Sequence, residues 1–245
     1  MRFISMHTSN AYSESDAPPP PGLAEGMGRL VGEMVAAGAF EAAEGLKASK
    51  HGLRLKYTGG KASAIPGPFT PENELTAALT VVNAQSIEEA RIWADRHGEI
   101  FHEVEIDLRP VCQPCDIGMA PQPPAGTPRP FMLQFKADAR YETGAPLSAG
   151  EAAALEKLVG EMQKAGVLVM SEGISPSSGG LRIKYDHAKG ERRVTDGPFA
   201  ESKELIAGFC IMNVKNLDEA VRWTDRFASH FPQVAVEIRQ LDRQK

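Results

Sequence analysis

The strongest constraint on the fold of this 245-residue chain is that its second half repeats its first half. An ordered series of matches is typical of a tandem duplication, in which each copy folds as the same unit. We therefore predict two copies of one small domain rather than one large domain. The matches are separated first by 128 and then by 130 positions: residues 30–34 and 158–162 (both LVGEM), 53–57 and 181–185 (LRLKY and LRIKY), and 67–69 and 197–199 (both GPF).

A proline-rich stretch separates the two copies. Residues 112–128 contain prolines at positions 114, 121, 123, 124 and 128. Proline lacks the backbone N–H that helices and sheets use, so this composition favours an extended, semi-rigid tether. We therefore place repeat 1 at residues 1–111, the linker at 112–128 and repeat 2 at 129–245.

Each repeat has the pattern of an α+β domain with the order β-α-β-β-hairpin-β-α-β. In repeat 2, Ser148 and Glu151 form a capping box before apolar residues at helical spacing, and Gly166 ends that helix. Residues 206–214 are nearly all apolar, which is typical of a strand covered on both faces. This order of elements predicts a ferredoxin-like βαββαβ fold for each repeat.

The apolar faces of the predicted sheets indicate how the repeats associate. Two helices cover only one face of such a sheet, and the other face still carries apolar side chains that must be buried. A second, matching sheet is the natural cover. We therefore predict an intrachain dimeric α+β barrel, with sheet packed on sheet, and expect either repeat alone to self-associate or aggregate.

One stretch of repeat 2 resembles a known family. Residues 196–204 read DGPFAESKE, which is similar to the signature of the YCII-related, or DGPF, family of small bacterial proteins. This resemblance implies a dimeric α+β barrel. It also implies an association with extracytoplasmic-function sigma factors and a suspected enzymatic activity, since some relatives carry a His–Asp pair. Further matching pieces lie in repeat 2 in the same order: residues 166–168, 172–174, 204–209, 218–220 with Trp223, and 236–239.

Repeat 1 departs from this signature. Pro66 stands where repeat 2 has Asp196, and Asn73 stands where repeat 2 has Lys203. Chemistry that needs the aspartate is therefore expected in repeat 2 alone.

Asp196 and Glu172 are the candidate catalytic residues. An aspartate before Gly-Pro is typical of a turn, and the alternative is a general base at the rim of the cleft between the two sheets. Glu172 ends an apolar strand. It is either solvated, paired with Arg182, or placed opposite Asp196, where repulsion would raise the pKa of one carboxyl group.

Lys203, Arg182 and Glu204 are the candidate ligand-binding residues. Lys203 is the side chain best suited to bind an anion, although a charge run of this kind is usually a solvated helical turn. Arg182 alternates with apolar residues, so it lies either in a solvent-facing row or in a basic wall of the cleft. We therefore predict a small-molecule-binding or enzymatic site in that cleft. The alternative is a non-enzymatic regulatory or interaction module linked to a sigma factor.

Other patterns exclude several classes of function. The net charge is −5 without a run of Lys or Arg, so we expect no nucleic-acid partner. No stretch approaches about 18 consecutive apolar residues, so we expect no membrane span and a cytoplasmic protein. The histidines lack metal-ligand spacing and Cys112 and Cys115 lack a second pair of ligands, so we expect neither metal nor cofactor. Pairing of His7 with Asp196, and homo-oligomers beyond the internal pair, are left open.

Overall fold

The computed structural model of the protein describes residues 1–241 and has an α+β architecture, which confirms the predicted fold class. The predicted order of elements is present in each repeat. Repeat 2 has one additional short helix, α3. The elements of the first half are β1 (Arg2–Thr8), α1 (Leu23–Ala36), β2 (Phe40–Leu46), β3 (Leu53–Thr58), β4 (Lys61–Pro66), β5 (Thr76–Ala84), α2 (Ile87–Phe101) and β6 (Val104–Cys112). Those of the second half are β7 (Arg129–Lys136), α3 (Ala139–Glu142), α4 (Ala149–Lys164), β8 (Leu168–Gly173), β9 (Leu181–Asp186), β10 (Glu191–Asp196), β11 (Ile206–Asn213), α5 (Leu217–Ala228) and β12 (Gln233–Gln240).

The chain forms two compact units whose boundaries differ from those of the repeats. Unit 1 contains Met1–Gly45 together with the chain from Ile174 onward, and unit 2 contains Leu46–Gly173. Each unit therefore combines the first β-α-β segment of one repeat with the remainder of the other repeat.

The sheet of unit 1 has the strand order β10-β9-β12-β1-β11-β2. All of these pairs are antiparallel. The four strands β12, β1, β11 and β2 reproduce the ferredoxin-like arrangement. Within these four, β1 and β2 come from repeat 1, whereas β11 and β12 come from repeat 2.

The sheet of unit 2 has the corresponding order β4-β3-β6-β7-β5-β8, again with antiparallel pairs. Here β5 and β6 come from repeat 1, whereas β7 and β8 come from repeat 2. The first and second strands of each ferredoxin-like arrangement are thus exchanged between the repeats.

This exchange corrects the prediction that each repeat closes its own sheet. The apolar pattern of a strand indicates how deeply the strand is buried. It does not indicate which of two near-identical repeats supplies the neighbouring strands. The predicted repeat boundaries remain a description of the sequence. The intrachain barrel concerns the placement of one sheet against the other, and it stays a prediction.

In unit 1, α1 and α5 pack on one face of the sheet. Leu30 and Met34 of α1 lie in a buried cluster with Ile183 and Val236 of the sheet and Ala220 of α5. Burial of each large apolar side chain contributes about 1.5–3 kcal/mol, so this layer is a major source of stability. Unit 2 has the same layer, formed by α2 and α4.

The linker is less extended than predicted. Pro114–Ile117 forms a turn of 3-10 helix, in which Gln113 and Asp116 form a capping box. The Asp116 carboxylate also lies 2.9 Å from Lys47 Nζ and 2.7 Å from Arg129 Nη2. The first part of the linker is thus anchored to unit 2. Among residues 1–241, no helix is both long and apolar enough to cross a membrane.

Candidate functional site

A row of side chains crosses the sheet of unit 2 on the face turned away from the helices. Residues directly opposite each other in antiparallel strands point to the same face. Arg54 lies opposite Asp107, Asp107 opposite Gln134, Gln134 opposite Leu79, and Leu79 opposite Glu172. The row therefore contains one polar or charged residue from four of its five strands.

Arg54 is the centre of a buried ion-pair network on this face. Its Nε and Nη2 atoms donate to the two carboxylate oxygens of Asp107 at 2.7 and 2.8 Å. Its Nη2 atom also donates to Glu74 Oε1 at 2.9 Å, and its Nη1 atom donates to the Thr70 carbonyl at 3.0 Å. This bidentate Arg–carboxylate geometry, with the added bond to Glu74, fixes the relative positions of the Arg54, Asp107 and Glu74 side chains.

Lys136 enters the same network from β7, in repeat 2. Its Nζ atom lies 2.8 Å from Asp107 Oδ2 and also pairs with Glu74. Beside it, Gln134 Nε2 donates to Thr76 Oγ1 at 2.8 Å. We define the polar cluster of unit 2 by the buried residues that these contacts join: Arg54, Glu74, Thr76, Asp107, Gln134 and Lys136.

A chain of ion pairs connects the polar cluster with the protein surface. Arg54 Nε lies 3.3 Å from Glu105 Oε1, and Lys56 Nζ lies 3.2 Å from Glu105 Oε2 and 2.8 Å from Glu72 Oε2. The exposed side-chain fraction rises along this path from 3% for Arg54 through 20% for Glu105 and 32% for Lys56 to 59% for Glu72. The ion pairs therefore form a continuous series from the exposed Glu72 to the buried Arg54.

The network keeps the Asp107 carboxylate ionised despite burial. Burial by itself would raise the pKa of Asp107. The hydrogen bond from Arg54 and the charges of Lys136 and Arg54 outweigh it and hold that pKa below its ordinary value. Burial by itself would lower the pKa of Arg54, but the hydrogen bond to Asp107 and the charges of Asp107 and Glu74 raise it. The Arg54 guanidinium and the Asp107 carboxylate are therefore both charged at neutral pH.

The equivalent face of unit 1 carries fewer polar groups. Arg182 Nη2 lies 2.7 Å from Glu237 Oε2, which matches the Arg54–Asp107 pair, and Glu237 Oε1 lies 3.3 Å from Arg239 Nη1. Glu204 stands where unit 2 has Glu74, but it pairs with Lys184 at the surface, and three further equivalent positions are apolar or small. At the repeat offsets, Met6, Thr8 and Ile206 stand where unit 2 has Gln134, Lys136 and Thr76.

Asp196 does not lie with these charged groups. It is an exposed residue at the end of β10, opposite Leu181, whereas Arg182 lies opposite Thr195. Asp196 and Arg182 therefore point to opposite faces of the unit 1 sheet. No hydrogen bond or ion pair joins the Asp196 side chain to another residue of the described chain.

The Gly-Pro-Phe part of the DGPF loop has the same packing in both repeats. A Cβ atom on Gly197 would lie 1.8 Å from the Ser177 carbonyl oxygen, and the Phe199 amide donates to Ser177 Oγ at 3.0 Å. The Arg182 guanidinium lies 4.2 Å from the centre of the buried Phe199 ring. In repeat 1, Gly67, Phe69, Ser49 and Arg54 make the same contacts. Loop packing alone therefore accounts for the glycine and the phenylalanine of the loop.

The other predicted site residues are divided between the units. In unit 1, Lys203 pairs with Glu201 at 3.1 Å and Glu204 pairs with Lys184 at 3.4 Å, both at the surface. Glu172 is buried in unit 2, in the row that contains Arg54. Sequence reasoning overlooked the polar cluster itself. The available signal was Gln134, a polar residue within the otherwise apolar residues 131–135.

His7 packs with aromatic rings and not with Asp196. Its ring centre lies 5.0 Å from that of Phe227 and 6.3 Å from that of Phe231. Strands β9 and β12 separate β1 from β10, which carries Asp196. Burial lowers the pKa of His7 to about 4, so the imidazole is neutral at physiological pH.

The cysteines are free thiols, and burial raises the pKa of Cys112 above its ordinary value. A thiol with a raised pKa is a poor nucleophile and a poor metal ligand at neutral pH. In residues 1–241 no three His, Cys, Asp or Glu side chains are grouped as metal ligands.

Comparisons with known proteins find a family match within the second repeat. Residues 134–240 match the model of the YCII-related domain, so the similarity covers most of repeat 2 and none of repeat 1. The chain is also similar to an uncharacterized protein of Rhizobium meliloti (strain 1021), with 39% identity over 56 residues. That stretch is 22% of this chain and 45% of the relative, so the chain spans less than half the length of the protein it matches. No solved structure matches the chain.

Proposed function

We propose that the chain is a small-molecule-binding protein whose ligand contacts the polar cluster of unit 2. The observation that carries this proposal is a difference between two sheets of the same topology. Where unit 2 has Gln134, Lys136 and Thr76, unit 1 has apolar or small side chains. The fold is built in unit 1 without these polar groups, so their presence in unit 2 supports a role beyond folding.

The energetics of buried charge support the same conclusion. Removing two charges from water costs several kcal/mol per ion, and replacing a buried ion pair by packed apolar residues is often neutral or stabilising. Unit 2 nevertheless buries Arg54, Glu74, Asp107 and Lys136 together. Buried ionisable residues with shifted pKa values, as Arg54 and Asp107 have, are more typical of a binding site than of an apolar core.

The balance of charge in the cluster selects the class of ligand. Arg54 and Lys136 supply two positive charges, while Glu74 and Asp107 supply two negative charges. A molecule with a single charge would be attracted by one pair and repelled by the other. A zwitterion would place its carboxylate on Arg54 and Lys136 and its ammonium group on Glu74 and Asp107. We therefore propose a small zwitterion of the amino-acid type.

The proposal is tested by thermal denaturation of the full chain with a panel of free amino acids. A ligand that binds only the folded state raises Tm by mass action. We expect at least one zwitterion to raise Tm, whereas matched monocarboxylates and monoamines leave it unchanged. A chain that no zwitterion stabilises contradicts the proposal and favours the regulatory alternative.

The residues of unit 1 indicate which substitutions should remove the ligand site of unit 2 without unfolding it. Replacing Gln134→Met and Thr76→Ile together copies the unit 1 residues into unit 2 and removes both partners of one hydrogen bond, which is nearly neutral for stability. We expect this variant to fold and to lose the zwitterion shift, and Asp196→Asn to keep it. The opposite result, with the shift lost only in Asp196→Asn, would place the site beside the DGPF loop.

A further inference from the structure

We propose that unit 1 carries a second binding site, which takes a flat, uncharged aromatic molecule with one N–H or O–H donor. The site is the aromatic niche of unit 1, which we define by His7, Phe227 and Phe231. Strand β1 supplies the histidine, and α5 and the residues after it supply the two phenylalanines. The inference is independent of the proposed function, since none of these residues belongs to the polar cluster of unit 2.

The three rings of the niche pack as a group. The ring centres of Phe227 and Phe231 lie 5.0 Å apart, and the His7 ring contacts both of them. All three residues are half-buried, so each ring keeps part of its surface accessible. Aromatic rings pair at centre distances of about 4.5–7 Å, and a further ring can therefore add to this group.

The equivalent rings of unit 2 are closed off. There Phe135 and His97 stand where unit 1 has His7 and Phe227, and their ring centres lie 4.9 Å apart. Phe135 is 5% exposed and His97 is 1% exposed. The same fold thus buries these two positions in unit 2 and leaves them partly open in unit 1.

The segments that follow β1 and β7 differ in a way that matches this contrast. After β7 the chain forms α3, and Tyr141 of α3 donates to the Ala77 carbonyl of β5 at 2.7 Å. Ala77 precedes the residue that lies opposite Phe135. After β1, residues 9–22 form turns but no helix, and Tyr12 donates to carbonyls within that segment. A tyrosine therefore anchors the segment beside the rings of unit 2, whereas the tyrosine of unit 1 bonds to its own loop.

His7 is the polar group of the niche. Within residues 1–241 neither of its ring nitrogens takes part in a hydrogen bond, whereas His97 Nδ1 lies 2.7 Å from the Trp93 carbonyl oxygen. Since the His7 imidazole is uncharged at neutral pH, one of its nitrogens carries a lone pair that accepts a hydrogen bond. A partly desolvated acceptor without a partner costs free energy, which a donor on the ligand recovers. An uncharged imidazole among aromatic rings therefore favours an uncharged ring with a donor over an ion.

Gly208 makes room for this imidazole. It lies directly opposite His7, and a Cβ atom on Gly208 would lie 2.7 Å from His7 Cε1. Unit 2 has Ala78 at the equivalent position, opposite Phe135. The glycine of unit 1 thus lets the imidazole lie close to β11 while the two phenylalanines cover its other side only in part.

The experiment titrates the full chain with indole and with N-methylindole by isothermal titration calorimetry. The two probes share one ring system, but only indole has an N–H. We expect indole to bind about tenfold more tightly, because N-methylindole leaves the His7 acceptor unpaired. His7→Phe, which copies the residue of unit 2, should lose this preference, and His97→Phe should keep it. Equal affinities of the native chain for both probes, or no saturable binding of indole, would overturn the proposal.

Nuclear magnetic resonance of the native chain gives a second readout that does not depend on the folding of a variant. With isotope-labelled histidine, we expect saturating indole to shift the ring-nitrogen signals of His7 and to leave those of His97 unchanged. Saturable binding of indole without a shift at His7 would place the ligand elsewhere and would equally overturn the proposal.

Discussion

Lys136 of repeat 2 lies 2.8 Å from Asp107 of repeat 1, within one compact unit and on one sheet. The contact exists because β7 pairs with β6, although the two strands belong to different repeats. The polar cluster of unit 2 therefore depends on the exchange of segments, because the exchange brings charged groups of both repeats together.

Lys136→Met should be strongly destabilising. The variant leaves Asp107 and Glu74 buried with one cation fewer, and loss of one partner from a buried ion pair costs about 3–5 kcal/mol. Equilibrium urea denaturation measures this loss. Lys184→Met is the control, because Lys184 is exposed and its pair with Glu204 should contribute less than about 1 kcal/mol. Equal losses in the two variants would show that the Lys136 network contributes little.

The two Gly-Pro-Phe loops should respond alike to substitution. Alanine at Gly197 or Gly67 would bring Cβ within 2 Å of the carbonyl oxygen of Ser177 or Ser49, so we expect each variant to lose at least about 2 kcal/mol. Asp196→Ala should change the free energy of unfolding by less than about 0.5 kcal/mol, because the side chain is exposed. Chemical denaturation of the three variants measures both effects. A large loss in Asp196→Ala would reveal a structural role for this carboxylate that its surroundings do not show.

Two histidines, the half-buried His7 and the buried His97, should make stability depend on pH. Burial lowers the pKa of His7 and of His97 from 6.5 to about 4. The unfolded chain therefore binds more protons than the folded chain between these pH values. The free energy of unfolding is therefore highest above pH 6.5. It falls as the pH falls towards 4, by up to about 3 kcal/mol for each histidine.

The equivalent positions in the other repeat indicate which residues should replace the two histidines in this test. Phe135 occupies the position equivalent to His7, and Phe227 occupies the position equivalent to His97. The variant His7→Phe/His97→Phe should therefore lose less stability than the native chain between pH 6.5 and 4, as measured by urea denaturation at each pH. His102→Asn, at an exposed position, should keep the native dependence. Parallel curves for the native chain and the double variant would show that these imidazoles titrate normally in the folded state.

The sequence predicted the elements of the fold well, because their signals are local. The capping box of Ser148 and Glu151 is present, and the apolar residues 206–214 contain strand β11. The exchange of segments could not be predicted. β1 and β7 have equivalent patterns, so the burial of one strand does not identify the repeat with which it pairs.

The candidate site was harder to predict than the fold. The DGPF signature drew attention to Asp196, but its glycine and phenylalanine are accounted for by packing against Ser177. Repeat 1 lacks the intact signature and nevertheless supplies Arg54 and Asp107 to the polar cluster. Contacts between side chains of different repeats depend on the strand order, and a motif within one repeat does not carry that information.

The most direct test of this account is a double-mutant cycle between Lys136→Met and Asp107→Asn, with the free energy of unfolding measured by urea denaturation. Residues in contact within one ion-pair network typically couple by about 0.5–3 kcal/mol, and we expect a value in the upper half of that range. If the repeats were not exchanged, Glu237 would be the partner of Lys136. Additive effects of the two substitutions, combined with a coupling between Lys136 and Glu237, would therefore contradict the account.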